Sequence, residues 1–165
     1  MRFMPLHLLL IAPLSGQTTL SIYGRDVTDK DRGVLLFAIA NAYADNNGLT
    51  PTAEELAPLR KKFGPLAARQ ERGAMDFAYS IVPLSKLNQN WWAKYGGKLV
   101  LSAFGMHPAT DAMLRVVESL ERSGQLKFHD AELRRNFIDY HQRYRGDGVI
   151  EGEKVKKLFA EGLAK

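Results

Sequence analysis

The chain has 165 residues, of which 45% are hydrophobic and 10% aromatic, so it is long enough and apolar enough to fold as one globular domain with a sizeable core. It contains no cysteine, which excludes disulfides, thiolate metal sites and a cysteine nucleophile. The 23 Lys and Arg residues outnumber the 18 Asp and Glu residues, and the charge of +5 permits binding to nucleic acid or an anionic membrane surface without requiring either.

The N-terminus has the pattern of a secretory signal peptide. Arg2 precedes an apolar run from Met4 to Leu14, and two small residues follow. The run is too short to cross a bilayer as a helix. We therefore predict that residues 1–16 are a signal peptide, that residues 17–165 form one helical domain, and that the protein is periplasmic or otherwise exported. If the leader is not cleaved, the alternative is a cytoplasmic protein that buries this segment as a strand or helix.

A short strand and a long helix follow. Residues Thr18–Tyr23 are β-branched and aromatic enough for an extended segment, which we expect to be an edge or isolated strand. Thr28 and Asp31 predict a helix start, with the hydroxyl of Thr28 at the N-cap. The run Val34–Ala40 is apolar on every side. We therefore expect this helix to lack a broad water-facing side and to be the central helix of the fold.

A turn and a second helix are predicted next. Asn47 and Gly48 can adopt left-handed backbone angles at low steric cost, so the first helix should stop there. Thr52 and Glu55 form the pattern of a second capping box. Pro58 should kink or shorten the helix that follows.

An apolar stripe marks a further helix. Apolar residues recur at steps of three and four from Phe77 to Tyr95, and Gly96 and Gly97 should end this helix. A short helical piece is predicted through Leu99–Leu101.

Three amphipathic helices are predicted in the last third of the chain. The first opens at Pro108 and closes at Gly124, the second has Asp130 as its N-cap, and the third starts at about Glu151. No strand is expected after Gly105. The predicted fold is therefore all-α, a single domain of six to seven helices with at most one short N-terminal strand.

The early elements also resemble a known family. An extended segment ending in Gly-x-x-Val-Thr, a long apolar helix and the run Gly-Leu-Thr-Pro-Thr-x-Glu-Glu-Leu resemble the helical N-terminal domain of SurA-type periplasmic chaperones and of parvulin-type peptidyl-prolyl isomerases. The matching residues are Gly24, Val27, Thr28, Gly48, Leu49, Thr50, Pro51, Thr52, Glu54, Glu55 and Leu56. The segment Lys94–Val100 is similar to one in small bacterial proteins that contain this helical region alone. The resemblance covers roughly residues 18–105.

The resemblance implies a chaperone role. Members of this family bind unfolded or extended polypeptide in an apolar cleft between helices. They also place a C-terminal helix back on the N-terminal domain, as the helix from Glu151 is expected to do here. Parvulin catalysis needs a separate module with its own histidines and Gly-rich strands, which the sequence does not show. We therefore predict a non-enzymatic, chaperone-like protein, and we keep an accessory or degenerate isomerase as an alternative.

Four apolar residues are candidates for the client-binding site: Trp91, Trp92, Met106 and Met113. Neighbouring positions on a helix point about 100° apart, so if Trp91 belongs to the apolar stripe, Trp92 lies at its border and is partly exposed. Aromatic rings and thioethers adapt to varied apolar partners. The alternative is that both Trp residues are core.

No catalytic or metal-binding motif is visible. The four histidines lack the spacing of a helical zinc site, and no phosphate-binding or nucleophile motif occurs. We expect unfolded polypeptides as partners, with no cofactor, metal, transmembrane segment or nucleic acid. The third hypothesis is a basic cytoplasmic helical protein that binds nucleic acid. It requires the basic clusters at residues 60–62 and 154–157 to lie on one face and the affinity to fall steeply with salt.

Overall fold

The computed structural model describes residues 17–55, 57, 86–102, 105–106, 110–144 and 148–161, with the backbone alone at residues 101–102, 105–106, 110 and 161. Its elements in chain order are β1 (Leu20–Ile22), β2 (Arg25–Val27), α1 (Arg32–Asn46), α2 (residues 86–95), β3 (Leu99–Ser102), β4 (Gly105–Met106), α3 (Thr110–Arg122), β5 (Leu126–Phe128), α4 (Ala131–Arg143), β6 (Gly148–Ile150) and α5 (Glu153–Glu161).

The fold mixes helices with two small sheets. Within the described residues, six strands form two three-stranded antiparallel sheets, with the strand orders β2-β1-β5 and β4-β3-β6. The prediction of an all-α fold is therefore wrong. The strands are two to four residues long, and an apolar alternation that short cannot be distinguished from one turn of a buried helix.

The first sheet is built around β1. Leu20 pairs with Val27 of β2 on one side and with Phe128 of β5 on the other. The extended segment predicted over Thr18–Tyr23 is present, but β1 is the central strand of its sheet, so the expectation of an edge or isolated strand is wrong. Leu20 and Ile22 are buried and belong to the core.

The second sheet replaces a predicted helix. Leu99 of β3 pairs with Ile150 of β6, and Leu101 pairs with Met106 of β4. The prediction of a helical piece through Leu99–Leu101 is therefore wrong, and so is the expectation of no strand after Gly105. The partner strand β6 lies about fifty residues further along the chain, and a local pattern does not reveal such distant pairing.

Helix α1 begins later than predicted. Its N-cap is Asp31, whose Oδ1 accepts hydrogen bonds from the backbone N–H groups of Gly33 at 2.8 Å and Val34 at 3.0 Å. Thr28 lies outside the helix, so the prediction of Thr28 as N-cap is wrong. A carboxylate competes well with a hydroxyl at this position because the helix dipole favours negative charge there.

One face of α1 points to water. Val34 is 45% exposed and Phe37 is 44% exposed, whereas Leu35, Leu36 and Ile39 are buried. This exposed stripe is narrow, because most of the other positions in the middle of α1 are buried. The expectation that α1 lacks a broad water-facing side therefore agrees with the structure, and its buried face lies in the core.

The end of α1 and the next helix start agree with the sequence. Asn47 caps α1, and Gly48 has a positive φ of 65°. Glu55 Oε2 accepts from the N–H of Thr52 at 2.8 Å, and the N–H of Glu55 donates to Thr52 Oγ1 at 3.3 Å. The capping box is thus confirmed. Pro58 lies outside the described residues.

The described part of the long apolar helix is confirmed as α2. Leu87 and Trp91 of its stripe are buried, and the helix stops at Gly96 and Gly97, which both have positive φ. A Cβ at Gly97 would lie 2.7 Å from the Cβ of Asp111, so this crossing requires glycine. Residues 77–85 of the predicted helix lie outside the described residues.

The last three predicted helices are present. Helix α3 is described from Thr110 onwards, and its predicted start at Pro108 lies outside the described residues. Helix α5 begins at Glu153, two residues after the predicted start at about Glu151. Asp130 is confirmed as the N-cap of α4. Arg134 of α4 donates two hydrogen bonds to the carboxylate of Glu121 on α3, at 2.6 and 2.7 Å.

The core lies between the first sheet and the helices, with Trp91, Phe137 and Leu35 among its largest fully buried side chains. Helix α5 packs back on α2, as expected, because the ring of Phe159 lies 5.9 Å from that of Trp92. In the part of the chain that the structure describes, no helix combines the length and apolarity needed to cross a membrane.

Candidate functional site

The four predicted client-binding residues are in different environments. Trp91 and Met113 are fully buried in one core cluster and therefore have no surface to offer a client. Trp92 is half-buried, and its Nε1–H donates to the carbonyl oxygen of Gly97 at 3.0 Å. Met106 lies in β4, where only the backbone is described. Of the four, Trp92 alone is described with partly exposed surface.

A pocket of about 120 Å³ lies where three helices end. Tyr43 comes from the last turn of α1, Tyr95 is the last residue of α2, and Ser119 lies one turn before the end of α3. Tyr23 comes from the turn between β1 and β2. The pocket thus depends on four elements that are far apart in the sequence.

Two tyrosines with hydrogen-bonded hydroxyls form part of its wall. The hydroxyl of Tyr43 donates to Asn90 Oδ1 at 3.2 Å, and its ring meets Trp91 edge-on with the centroids 5.5 Å apart. Tyr23 forms a hydrogen bond with Asn47. Burial raises the pKa of both Tyr23 and Tyr43 above 10.0, so both groups are neutral hydroxyls at pH 7.

Lys94 supplies the charge. It is the only charged side chain among the nine residues that line the pocket, and its Nζ lies 5.2 Å from the ring centroid of Tyr95. A hydrogen bond with Tyr95 raises the pKa of Lys94, and the electrostatic influence of Tyr43 adds to this effect. The ammonium group is therefore firmly protonated at pH 7.

Tyr95 links this ammonium to Ser119. Burial opposes ionisation of Tyr95, but hydrogen bonds with Ser119 and Lys94 outweigh it, and the charges of Lys94 and Arg122 act in the same direction. The pKa of Tyr95 is consequently lowered from 10.0. Lys94, Tyr95 and Ser119 thus form a connected row of polar groups along one side of the pocket.

Tyr23 is held in a strained conformation. Its φ is +46°, and it is the only non-glycine residue with a positive φ in the described part of the chain. With Gly24 at φ +76° it forms a two-residue turn of the kind in which Asn-Gly is preferred, because a bulky residue there costs about 1–2 kcal/mol. The N–H of Tyr23 donates to the carbonyl of Gln125 at 2.8 Å, which helps to hold the strain. Strain of this kind is concentrated at functional sites.

The polar groups that line the pocket favour binding of an anionic group. The lining residues carry one ammonium and four hydroxyls, of which those of Tyr23 and Tyr43 are already hydrogen-bonded within the protein, and none of these residues is acidic. Charge-assisted hydrogen bonds from such donors to a carboxylate or phosphate are about twice as strong as neutral ones. The volume corresponds to about four waters at ~30 Å³ each and is well below the ~300 Å³ of a drug-sized site. The pocket therefore suits a small ligand or one group of a larger one.

A second polar cluster lies on the outer face of the first sheet. Ser21 Oγ donates to Asp26 Oδ1 at 2.6 Å and lies 2.7 Å from His129 Nε2. Because the only hydroxyl proton of Ser21 goes to Asp26, His129 must donate to Ser21 and cannot serve as its base. The cluster is therefore a polar cross-strand network rather than an activated nucleophile.

Metal binding has no comparable support. Within the described ranges, no group of three or more His, Asp and Glu side chains is arranged to hold a metal ion.

Sequence reasoning missed the pocket. Its residues come from positions 23, 43, 94, 95 and 119, and no local motif joins them. One signal was available, namely Tyr23 before Gly24 at a turn where a small polar residue is preferred.

Comparison with other proteins adds no relative. No family model, no curated protein and no solved structure matches this chain, so the case for its function comes from the geometry of the pocket.

Proposed function

We propose that the protein is a non-enzymatic binding protein whose pocket, at the ends of α1, α2 and α3, holds the anionic group of a small ligand. The observation on which this rests is that Lys94 is the only charged side chain in a pocket otherwise lined by hydroxyls, amides and two aliphatic residues. We refer to this site below as the Lys94 pocket.

The expected affinity is modest. A hydrogen bond to a charged group contributes about 1.5–3 kcal/mol and a neutral one about 0.5–1.5 kcal/mol. Lys94 is exposed, so solvent screens its charge and its contribution belongs at the low end of that range. Together with the hydroxyls of Tyr95 and Ser119, it contributes about 2.5–4.5 kcal/mol. This corresponds to a dissociation constant of roughly 0.5–15 mM for a minimal ligand.

A titration tests this proposal. Acetate is added to ¹⁵N-labelled protein at constant ionic strength, and the amide resonances are followed. We expect saturable shifts at Lys94, Tyr95 and Ser119, which are lost in Lys94→Gln. Lys154→Gln removes the same charge from an exposed position on α5 and should bind like the wild type. Shifts that do not saturate, or that are unchanged in Lys94→Gln, would contradict the proposal.

A second candidate is the capture of extended polypeptide, as the resemblance to SurA-type chaperones implies. It is favoured by the exposure of Val34 and Phe37, which lie one turn apart on α1 and together present apolar surface to water. Phe37→Ser should weaken binding of an unfolded outer-membrane polypeptide, whereas Val149→Ser, at a similarly exposed position on β6, should not.

The controls in that assay separate the remaining hypotheses. Binding of duplex DNA that disappears at high salt would favour the nucleic-acid hypothesis. Turnover of a proline-containing model peptide would favour the isomerase hypothesis.

A further inference from the structure

We infer that the group held in the Lys94 pocket is a carboxylate with a single negative charge, not a doubly charged phosphate or sulfate. This inference rests on the proposed function and narrows it to one chemical class. It follows from the direction of the helices around the pocket and from the cations near their ends.

Three helices present their C-terminal ends to the pocket. Tyr43 lies in the last turn of α1, Lys94 and Tyr95 end α2, and Ser119 lies near the end of α3. Each helix C-terminus has an effective charge of roughly −0.5 and disfavours a nearby anion. An anion in this pocket therefore needs nearby cations that offset the three helix ends.

Lys94 is the cation left to pair with a ligand. Arg115 Nη1 donates to the carbonyl of Tyr95 at 2.8 Å and so offsets the end of α2. The last turn of α3 contains Arg122, whereas the last turn of α1 contains no basic residue. Lys94 is then the remaining positive charge that faces the pocket. One ligand charge is balanced by Lys94, and a second would meet the end of α1 without a cation to balance it.

The features that proteins use for dianions are missing from the pocket lining. None of the nine lining residues is an arginine, and none belongs to the first turn of α1 or α3. Bidentate arginines and helix N-termini are the usual means of holding phosphate and sulfate.

A carboxylate matches the donors that are present. Its two oxygens can accept from the ammonium of Lys94 and from one hydroxyl of the Tyr95–Ser119 pair, because the other hydroxyl proton lies in the hydrogen bond between these two residues. The side chain of Gln125 can contact a neutral part of the ligand, whereas that of Asn47 already donates to the carbonyl of Tyr43 at 2.8 Å and is bonded to Tyr23. The same group can come from a free small acid or from the C-terminus of a peptide, and both sources share this chemistry.

The test compares four probes by NMR titration at constant ionic strength. Acetate and sodium sulfate compare one charge with two. Tri-alanine and its C-terminal amide compare a peptide carboxylate with a neutral peptide end. We expect acetate to bind about tenfold more tightly than sulfate, because the second charge meets the C-terminal end of α1, which no basic residue of its last turn offsets. We expect the amide to cause no shift at Tyr95 or Ser119.

The outcomes separate the two proposals. Sulfate binding as tight as acetate binding would overturn the carboxylate inference while leaving anion binding intact. Failure of both anions to bind would overturn the proposed function as well. If acetate binds, tri-alanine binding at Lys94 supports a peptide C-terminus as the source, and its failure to bind supports a free small acid. Binding of the amide equal to that of tri-alanine would again overturn the inference.

Discussion

Two neighbouring turns of α2 have different roles, one in the core and one in the pocket. Trp91 is fully buried and contacts Tyr43, whereas Lys94, three residues later, is exposed and is part of the pocket lining. The turn that contains Trp91 packs the helix into the core, and the turn that contains Lys94 places a positive charge at the pocket. The comparison shows that buried apolar residues such as Trp91 hold the helices together. The polar groups that can bind a ligand lie at the ends of those helices.

Removing the buried side chain should have the largest effect. Trp91→Ala should lower the free energy of unfolding by about 3–5 kcal/mol, because it deletes the largest fully buried side chain and leaves a cavity. Urea denaturation monitored by circular dichroism measures this. Trp92→Ala, which truncates a half-buried ring, should cost less. A loss below about 1 kcal/mol in Trp91→Ala would show that the core does not depend on this turn.

The crossing after α2 should be next in sensitivity. Gly97→Ala adds a Cβ 2.7 Å from the Cβ of Asp111 at a residue with φ of +95°, and we expect a loss of about 2–3 kcal/mol. Gly124→Ala is the matched control, because Gly124 has φ of +71° but no atom within 4 Å of its added Cβ. It should show the cost of the backbone angle alone, roughly 1 kcal/mol. Equal losses in the two variants would mean that the contact with Asp111 contributes nothing.

These two turns also show what the sequence can predict. The stripe containing Leu87 and Trp91 predicts α2 because apolar residues recur at every helical turn within a short stretch of sequence. The capping box at Thr52 and Glu55 likewise involves residues that are close in the sequence. The strands are too short to show a period. The Lys94 pocket brings together residues from positions 23 to 125, and their proximity is decided only by the packing of the three helices. Side-chain patterns within one window contain no information on that packing.

Tyr43 belongs to both regions, since its ring contacts Trp91 and the residue is part of the pocket lining. Burial raises its pKa above 10.0. Its stabilising effect is therefore complete below pH 10 and is lost as the pH rises through the higher folded-state pKa. Tyr43→Phe should cost about 1 kcal/mol at pH 7 through the hydrogen bond to Asn90, yet lose less stability than the wild type as the pH rises above 10.

Denaturation across that pH range checks this prediction. Parallel curves for the wild type and Tyr43→Phe would mean that Tyr43 ionises without cost in the folded protein.

The smallest effect on stability is expected at Lys94 itself. Lys94→Gln should change the free energy of unfolding by no more than about 0.5 kcal/mol, because the side chain is exposed and its neighbours remain hydrogen-bonded to one another. Its effect on ligand binding should nevertheless be the largest of any variant described here.

One measurement tests the division between scaffold and site most directly. The free energy of unfolding is determined for the wild type and for Lys94→Gln under two conditions. The first is acetate at ten times the dissociation constant that the wild type shows for acetate, and the second is chloride at the same ionic strength. We predict equal values in chloride, a gain of about 1.4 kcal/mol in acetate for the wild type, and no gain for Lys94→Gln. An equal gain in both proteins, or a loss above 1 kcal/mol for Lys94→Gln in chloride, would contradict the account.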